Sequence, residues 1–143
     1  MKWIDYARPQ TVAEAVQLLT ERGDGARAMA GGTDLIVQLR VGRRQPDHVV
    51  DVKHIPDLNE VDTSGGGVTL GAAVPCHIIY NNEVIKNAFP ALVDSASIIG
   101  GTQIQGRASI GGNLCNAAPS ADAIPTLIAL GATANVSGST GDR

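Results

Sequence analysis

Aromatic residues are scarce in this 143-residue chain, which has one Trp, two Tyr and one Phe. So few rings leave no stacking platform for bases. The net charge of −3, with basic residues scattered, leaves no electrostatic footprint for a phosphate backbone. Nucleic acid is therefore not an expected partner. Cysteine is almost missing: Cys76 and Cys115 lie far apart, form no C-x-x-C pair, and cannot supply the thiolates an iron–sulfur cluster needs. Any such cluster belongs to another chain. His48, His54 and His77 show neither H-x-H nor H-x-x-x-H spacing, so no metal site is expected. No apolar run approaches the ~18 residues that cross a bilayer, so no membrane span is expected. The opening MKWIDYARPQ has no apolar block of the secretory kind, which makes the cytoplasm the expected compartment. What remains is a globular composition, 43% hydrophobic and 17% charged, in about one domain's length of chain.

Local signals divide that length. Thr11-Val-Ala-Glu14 fits a capping box, followed by Val12, Ala15, Val16 and Leu19 on one helical face and by Gly23 as a stop. Ala26 to Ala30 reads as a short strand, Gly31-Gly32 as a turn, and Thr33 to Arg40 as a helix with Leu35, Ile36 and Leu39 inside. His48 to Val52 is the next strand, and alternation of helix and strand predicts a parallel sheet with helical crossovers. The character shifts at Ile55. Val68, Leu70 and Ala72 alternate behind Gly65-Gly66-Gly67 as in a half-buried strand. Leu92, Val93, Ala96 and Ile99 form a helical stripe between Pro90 and Gly100-Gly101. Ile124, Leu127 and Ile128 form another, stopped by Gly131. Ala132 to Val136 is a last strand candidate that would normally pair with something further on, so the second subdomain is expected to be cut short or completed by a partner.

Two glycine pairs carry the chemical signal. In AMAGGTDL, Ala28 to Leu35, Gly31-Gly32 sits between a strand and a helix start and exposes the amides of Gly32 to Asp34 at the helix's positive end. Adjacent glycines permit positive φ and let a ligand approach bare backbone; alternatively the pair is a plain turn with Thr33 capping the helix. Ser109-Ile110-Gly111-Gly112-Asn113 repeats the chemistry with a hydroxyl, consecutive amides and an amide side chain. A diphosphate would use both loops. Asp122 suits a ribose hydroxyl or, equally, an N-cap for the helix carrying Leu127. Neither G-x-x-x-x-G-K-[ST] nor G-x-G-x-x-G is present, which disfavours phosphoryl transfer and a conventional Rossmann site. No Ser–His–acid or Cys–His pairing emerges, so the chain reads as a holder of a reactive cofactor, with no catalytic residue nominated.

AGGTDLIVQLR (Ala30 to Arg40) and ASIGGNLCNAAPSADAIPTL (Ala108 to Leu127), with the opening WIDYARPQTVAEA, resemble the FAD-binding (medium) subunit or domain of molybdenum hydroxylases. The xanthine dehydrogenase family looks nearest, and carbon monoxide dehydrogenase medium subunits are related. The resemblance implies an α+β fold of two FAD-binding subdomains. Residues 1–54 would form a small parallel βαβ-type unit, and residues 55–143 a larger mixed or antiparallel sheet with helices. The resemblance implies that family members continue past this sequence's last residue, which again leads to the expectation of an incomplete second subdomain.

The same resemblance implies FAD extended between the subdomains. Ala28, Met29, Ala30, Gly31, Gly32, Thr33, Asp34 and Leu35 would form the first FAD loop. Gly100, Gly101 and Thr102 would give backbone contacts, and Ser109, Ile110, Gly111, Gly112 and Asn113 the second loop, with Asp122 a polar contact. Partners would be a large subunit with a molybdenum cofactor and a small subunit with [2Fe-2S] clusters. Electrons would leave through FAD to NAD+ or another acceptor. Cys115 reads as a small packed residue or a flavin neighbour, and Arg107 and Gln103 as flavin neighbours or, equally, structural residues. A flavin oxidase of the related family, or an assembly module without FAD, are the competing readings; Thr33 and Asp34 stand where the oxidase would place a histidine.

Overall fold

The structure, a computed structural model, describes residues 3–143. Its first part is a three-stranded parallel sheet, β1 (Asp5–Ala7), β2 (Ala26–Met29) and β3 (His48–Asp51), in the order β1-β3-β2. Asp5 stands opposite His48 on one side and Ala26 opposite His48 on the other. Helix α1 (Val12–Arg22) connects β1 to β2, and α2 (Leu35–Arg40) connects β2 to β3. The start of α1 follows from its capping pattern: Thr11 Oγ1 accepts from the Glu14 amide at 3.1 Å. Glu14 reaches back one residue further than the usual box, accepting from the Gln10 amide at 2.8 Å. Gly23, at φ 51°, ends the helix in a backbone conformation that side chains resist. Ala15, Val50 and Ile55 form the core here, with Val12, Leu18 and Leu19 of α1 against them.

One element is unexpected and one expectation shifts. Strand β1 rises from a three-residue stretch with no periodicity to announce it. Helix α2 starts at Leu35 rather than Thr33, and of its expected inner face only Leu39 is buried, while Ile36 stays 44% exposed.

The second part is mostly helical. Strands β4 (Val61–Asp62) and β5 (Thr69–Leu70) pair antiparallel across a turn with Gly66 at φ 75°. Six helices follow: α3 (Cys76–Asn81), α4 (Glu83–Ala88), α5 (Pro90–Ile98), α6 (Thr102–Gln105), α7 (Ile110–Asn116) and α8 (Ile124–Ala129). Punctuation explains their breaks. Asn82 caps α4 by accepting from the Val84 and Ile85 amides, and Pro90 opens α5 at the position where a missing N–H costs nothing. The predicted stripe on α5 is buried at Leu92, Ala96 and Ile99, which pack with Val74, Cys76, Ile79, Ile85 and Ile110. Ser95 and Thr126 hydroxyls meet at 2.6 Å and join α5 to α8. Leu127 of α8 packs against this core, but Ile128 is 74% exposed. The strand expected over 132–136 does not form. The pairing lies further on, between β6 (Ser137–Gly138) and β7 (Gly141–Asp142), with Val136 and Arg143 exchanging backbone bonds at its end. Among the described residues no helix is long and apolar enough to cross a membrane.

Candidate functional site

The two glycine loops are adjacent. A Cβ on Gly31 would overlap the Arg107 carbonyl oxygen and lie 2.5 Å from its carbon, so this contact exists only because residue 31 has no side chain. The Arg107 Nε donates to the Gly31 carbonyl oxygen at 2.9 Å. Gly111 is equally tight on its other side, where a Cβ would lie 2.5 Å from the Ala72 carbonyl oxygen and 2.6 Å from its Cα. The second loop is further pinned by the Cys76 amide donating to the Ala108 carbonyl at 2.8 Å.

Beside this junction opens a cleft of about 690 Å³, within the ~300–1,000 Å³ typical of ligand sites. Of the sequence-derived residues it brings together Ala28, Met29, Ala30, Gly31, Gly32, Thr33, Asp34 and Leu35 from one wall. Gly100, Ser109, Gly111, Gly112, Asn113 and Asp122 come from the other. Three residues stand apart: Ile110 is turned into the core at 7% exposure, because the first apolar position of α7 faces inward, and Gly101 and Thr102 at the start of α6 lie outside the lining.

Donors are distributed unevenly along the loops. Gly32 has φ 77°, and the helix that follows has Asp34 at its N-cap position with no side-chain cap bond, so Thr33 does not cap it. First-turn amides have no intrahelical carbonyl, and among the described residues no acceptor takes the amides of Gly32 to Leu35, which leaves them available to an anion. On the second loop Ser109 Oγ accepts from the Gly112 amide at 3.0 Å and the Ser109 carbonyl accepts from Asn113, which engages those two amides internally. The antiparallel bridge between Pro75 and Ser109 engages the Ile110 amide, so the Gly111 amide remains. Asn113 Oδ1 accepts from the Ala123 amide at 3.2 Å, tying the 121–123 turn to α7, and its NH2 is left for the cleft. Asp122 is not a helix cap: α8 is entered at Ala123 with no side-chain cap bond, and the exposed Asp122 borders the cleft.

Sequence reasoning missed several lining residues, among them Arg27, Gln38, Arg44 and Asn116. Gln38 follows Leu35 by one helical turn, and Asn116 follows Asn113 by one, so i,i+3 spacing from the predicted residues was the available signal. Gln38 Nε2 donates to Asn116 Oδ1 at 3.0 Å across the cleft, and Arg44 Nε donates to Gln38 Oε1 at 2.7 Å. Cys115 is exposed and lines the cleft, whereas Cys76 is buried; burial pushes its thiol up to about 11, so it is no nucleophile. Behind the first loop, the buried Asp51 carboxylate accepts from the Tyr6 hydroxyl, the Lys53 ammonium and the Lys53 amide. Burial pushes its carboxyl upward, but these hydrogen bonds outweigh it and hold the group below the usual range. The same bond to Asp51 is the main reason the Tyr6 hydroxyl is raised. This cluster ties β1 to the end of β3, next to Val52 in the cleft wall, whose amide donates to the Met29 carbonyl at 2.9 Å.

A cleft lined by the backbone of both glycine loops, by the Asp122 carboxylate and by apolar Val52, Ile99 and Ile104 suits a dinucleotide-type binding domain built without a Rossmann turn. Residues 2–143 match the family model described as FAD binding domain in molybdopterin dehydrogenase, and the chain belongs to that family. It is 36% identical over 138 residues to the glyceraldehyde dehydrogenase medium chain of Sulfolobus acidocaldarius, covering 96% of this chain and 49% of that one. It is 37% identical over 125 residues to the xanthine dehydrogenase FAD-binding subunit of Escherichia coli O157:H7, covering 86% and 42%. The crystal structure of a Cu,Mo-CO dehydrogenase superposes with a TM-score of 0.96 at 33% identity, over 99% of this chain and 50% of that one. The chain thus spans about half the length of the relatives it matches.

Proposed function

We propose that this chain holds FAD in the cleft as the flavin-binding part of a multi-subunit oxidoreductase of the molybdenum hydroxylase class. The observation that carries the reading is the meeting of the Gly31-Gly32 and Gly111-Gly112 loops at one cleft. Backbone amides of Gly32 to Leu35 and of Gly111 would take the diphosphate, where main-chain donors bind anions without a side-chain charge. Asp122 would accept from a ribose hydroxyl, and Asn113 would donate from its NH2. Arg27 and Arg44 add positive charge to the walls.

The chemistry supplied by bound FAD would be electron transfer, from [2Fe-2S] clusters of a small subunit, themselves fed by a molybdenum cofactor in a large one, to NAD+ or another acceptor. The chain's own part is to bind, to orient and to exclude water, so no acid–base residue is assigned. We place this hetero-oligomer in the cytoplasm. The division into subdomains at residue 54 is part of the same proposal; two separate buried clusters support it, although Leu58 packs with the first.

The test is the visible spectrum of the purified chain before and after acid denaturation. Yellow colour released by acid is the expected result. Colour retained on the denatured chain would indicate the covalent oxidase reading, and a colourless chain that takes up no added FAD would leave only the assembly module.

A further inference from the structure

Arg107 lies outside the cleft lining, yet it grips the loop that forms one of its walls. Its Nε donates to the Gly31 carbonyl oxygen at 2.9 Å, over a separation of 76 residues, and its own carbonyl fills the space a Gly31 side chain would need. The Gly31–Gly32 peptide is therefore held from two sides. A peptide unit is planar and trans, so the carbonyl of Gly31 and the N–H of Gly32 point in opposite directions. Anchoring the oxygen on Arg107 directs the Gly32 N–H away from Arg107, and among the described residues no acceptor takes that amide. Gly32 at φ 77° lines the cleft. A guanidinium on the oxygen also polarises the unit and makes its N–H a stronger donor.

Building on the proposed FAD site, we infer that Arg107 is a positioning residue for the anionic part of the ligand. It orients and polarises the Gly31–Gly32 peptide so that the Gly32 amide meets a diphosphate, and it does so without touching the ligand. Sequence position hides this role, because Arg107 precedes the second loop and acts on the first.

The test compares the wild-type chain with Arg107→Ala in three measurements: FAD affinity by flavin fluorescence, inorganic pyrophosphate titration followed at the Gly32 amide in 1H–15N NMR spectra, and thermal unfolding. The expected result is a loss of about tenfold in affinity for both FAD and pyrophosphate, the size of one charge-assisted hydrogen bond. The Gly32 amide resonance should shift in the unliganded chain as well. Arg107→Lys should recover part of the affinity, and it substitutes as the test variant if Arg107→Ala does not fold. A lower melting temperature with both affinities unchanged would reduce Arg107 to a fold staple and overturn the inference. Wild-type chain that binds pyrophosphate but no FAD would sink the proposed function alone, and the Arg107 comparison would still be decided on pyrophosphate.

Discussion

Gly31 and Gly101 look alike in sequence, each being one member of a Gly-Gly pair before a helix, but their surroundings differ. At Gly31 a methyl group meets the main chain of Arg107, which cannot swing aside as a side-chain tip could. At Gly101, with φ −99°, the nearest atom is the Gln103 side-chain oxygen at 3.6 Å, an ordinary contact. Gly31→Ala should therefore separate the loops, with a stability loss on the order of 2 kcal/mol in chemical denaturation and at least a tenfold loss of FAD affinity. Gly101→Ala should stay within about 0.5 kcal/mol and keep its flavin uptake. Equal behaviour of the two variants would show that the close approach at Gly31 does not govern the cleft.

Caps decide where the short helices start, and one of them doubles as part of the cleft. Thr11 on α1 and Ser109 on α7 each accept from the amide three residues on. Replacing either with alanine should cost about 1 kcal/mol, read from urea unfolding at unchanged m-value. Only Ser109→Ala should also weaken FAD, because α7 supplies the second loop while α1 packs behind the sheet, away from the cleft. A flavin titration of both variants separates the cases; parallel losses would mean that general stability, not loop placement, limits binding.

The pH dependence of stability belongs to the whole molecule, and buried groups set both of its limbs. Cys76 is raised from 9.0 to about 11, so the unfolded chain loses this proton first; its contribution is complete below pH 9 and disappears as pH rises toward 11. The loss is on the order of 3 kcal/mol. Tyr6, also raised, adds a loss of the same sign above its ordinary value of 10.0. Asp51 acts in the opposite direction: its folded carboxyl lies below 3.8, so its contribution is present above that value and fades as pH falls through the folded one. Equilibrium unfolding of Cys76→Ala against wild type should show a flatter curve between pH 9 and 11, and an Asp51→Asn chain should lose stability at neutral pH and show a shallower acid limb. Identical alkaline curves for wild type and Cys76→Ala would remove Cys76 as their cause.

Sequence alone determined what depends on neighbours a few positions apart. The Thr11 cap, the Gly23 stop, Pro90 at the head of α5, the α5 stripe and the two glycine turns are all local, because capping, proline and positive φ act within one turn of chain. It could not show β1, whose three residues become a strand only by pairing with β3, nor that Ile36 and Ile128 face outward while Leu39 and Leu127 face in. Nor could it place Arg107 on Gly31 or Gln38 on Asn116, contacts that span 76 and 78 positions. Those depend on where the loop before α7 and α7 itself meet the first glycine loop and α2. Composition made two glycine bends with exposed amides possible; only tertiary packing brought them to one cleft, because a hydrogen bond between distant residues forms where the fold has already brought donor and acceptor together.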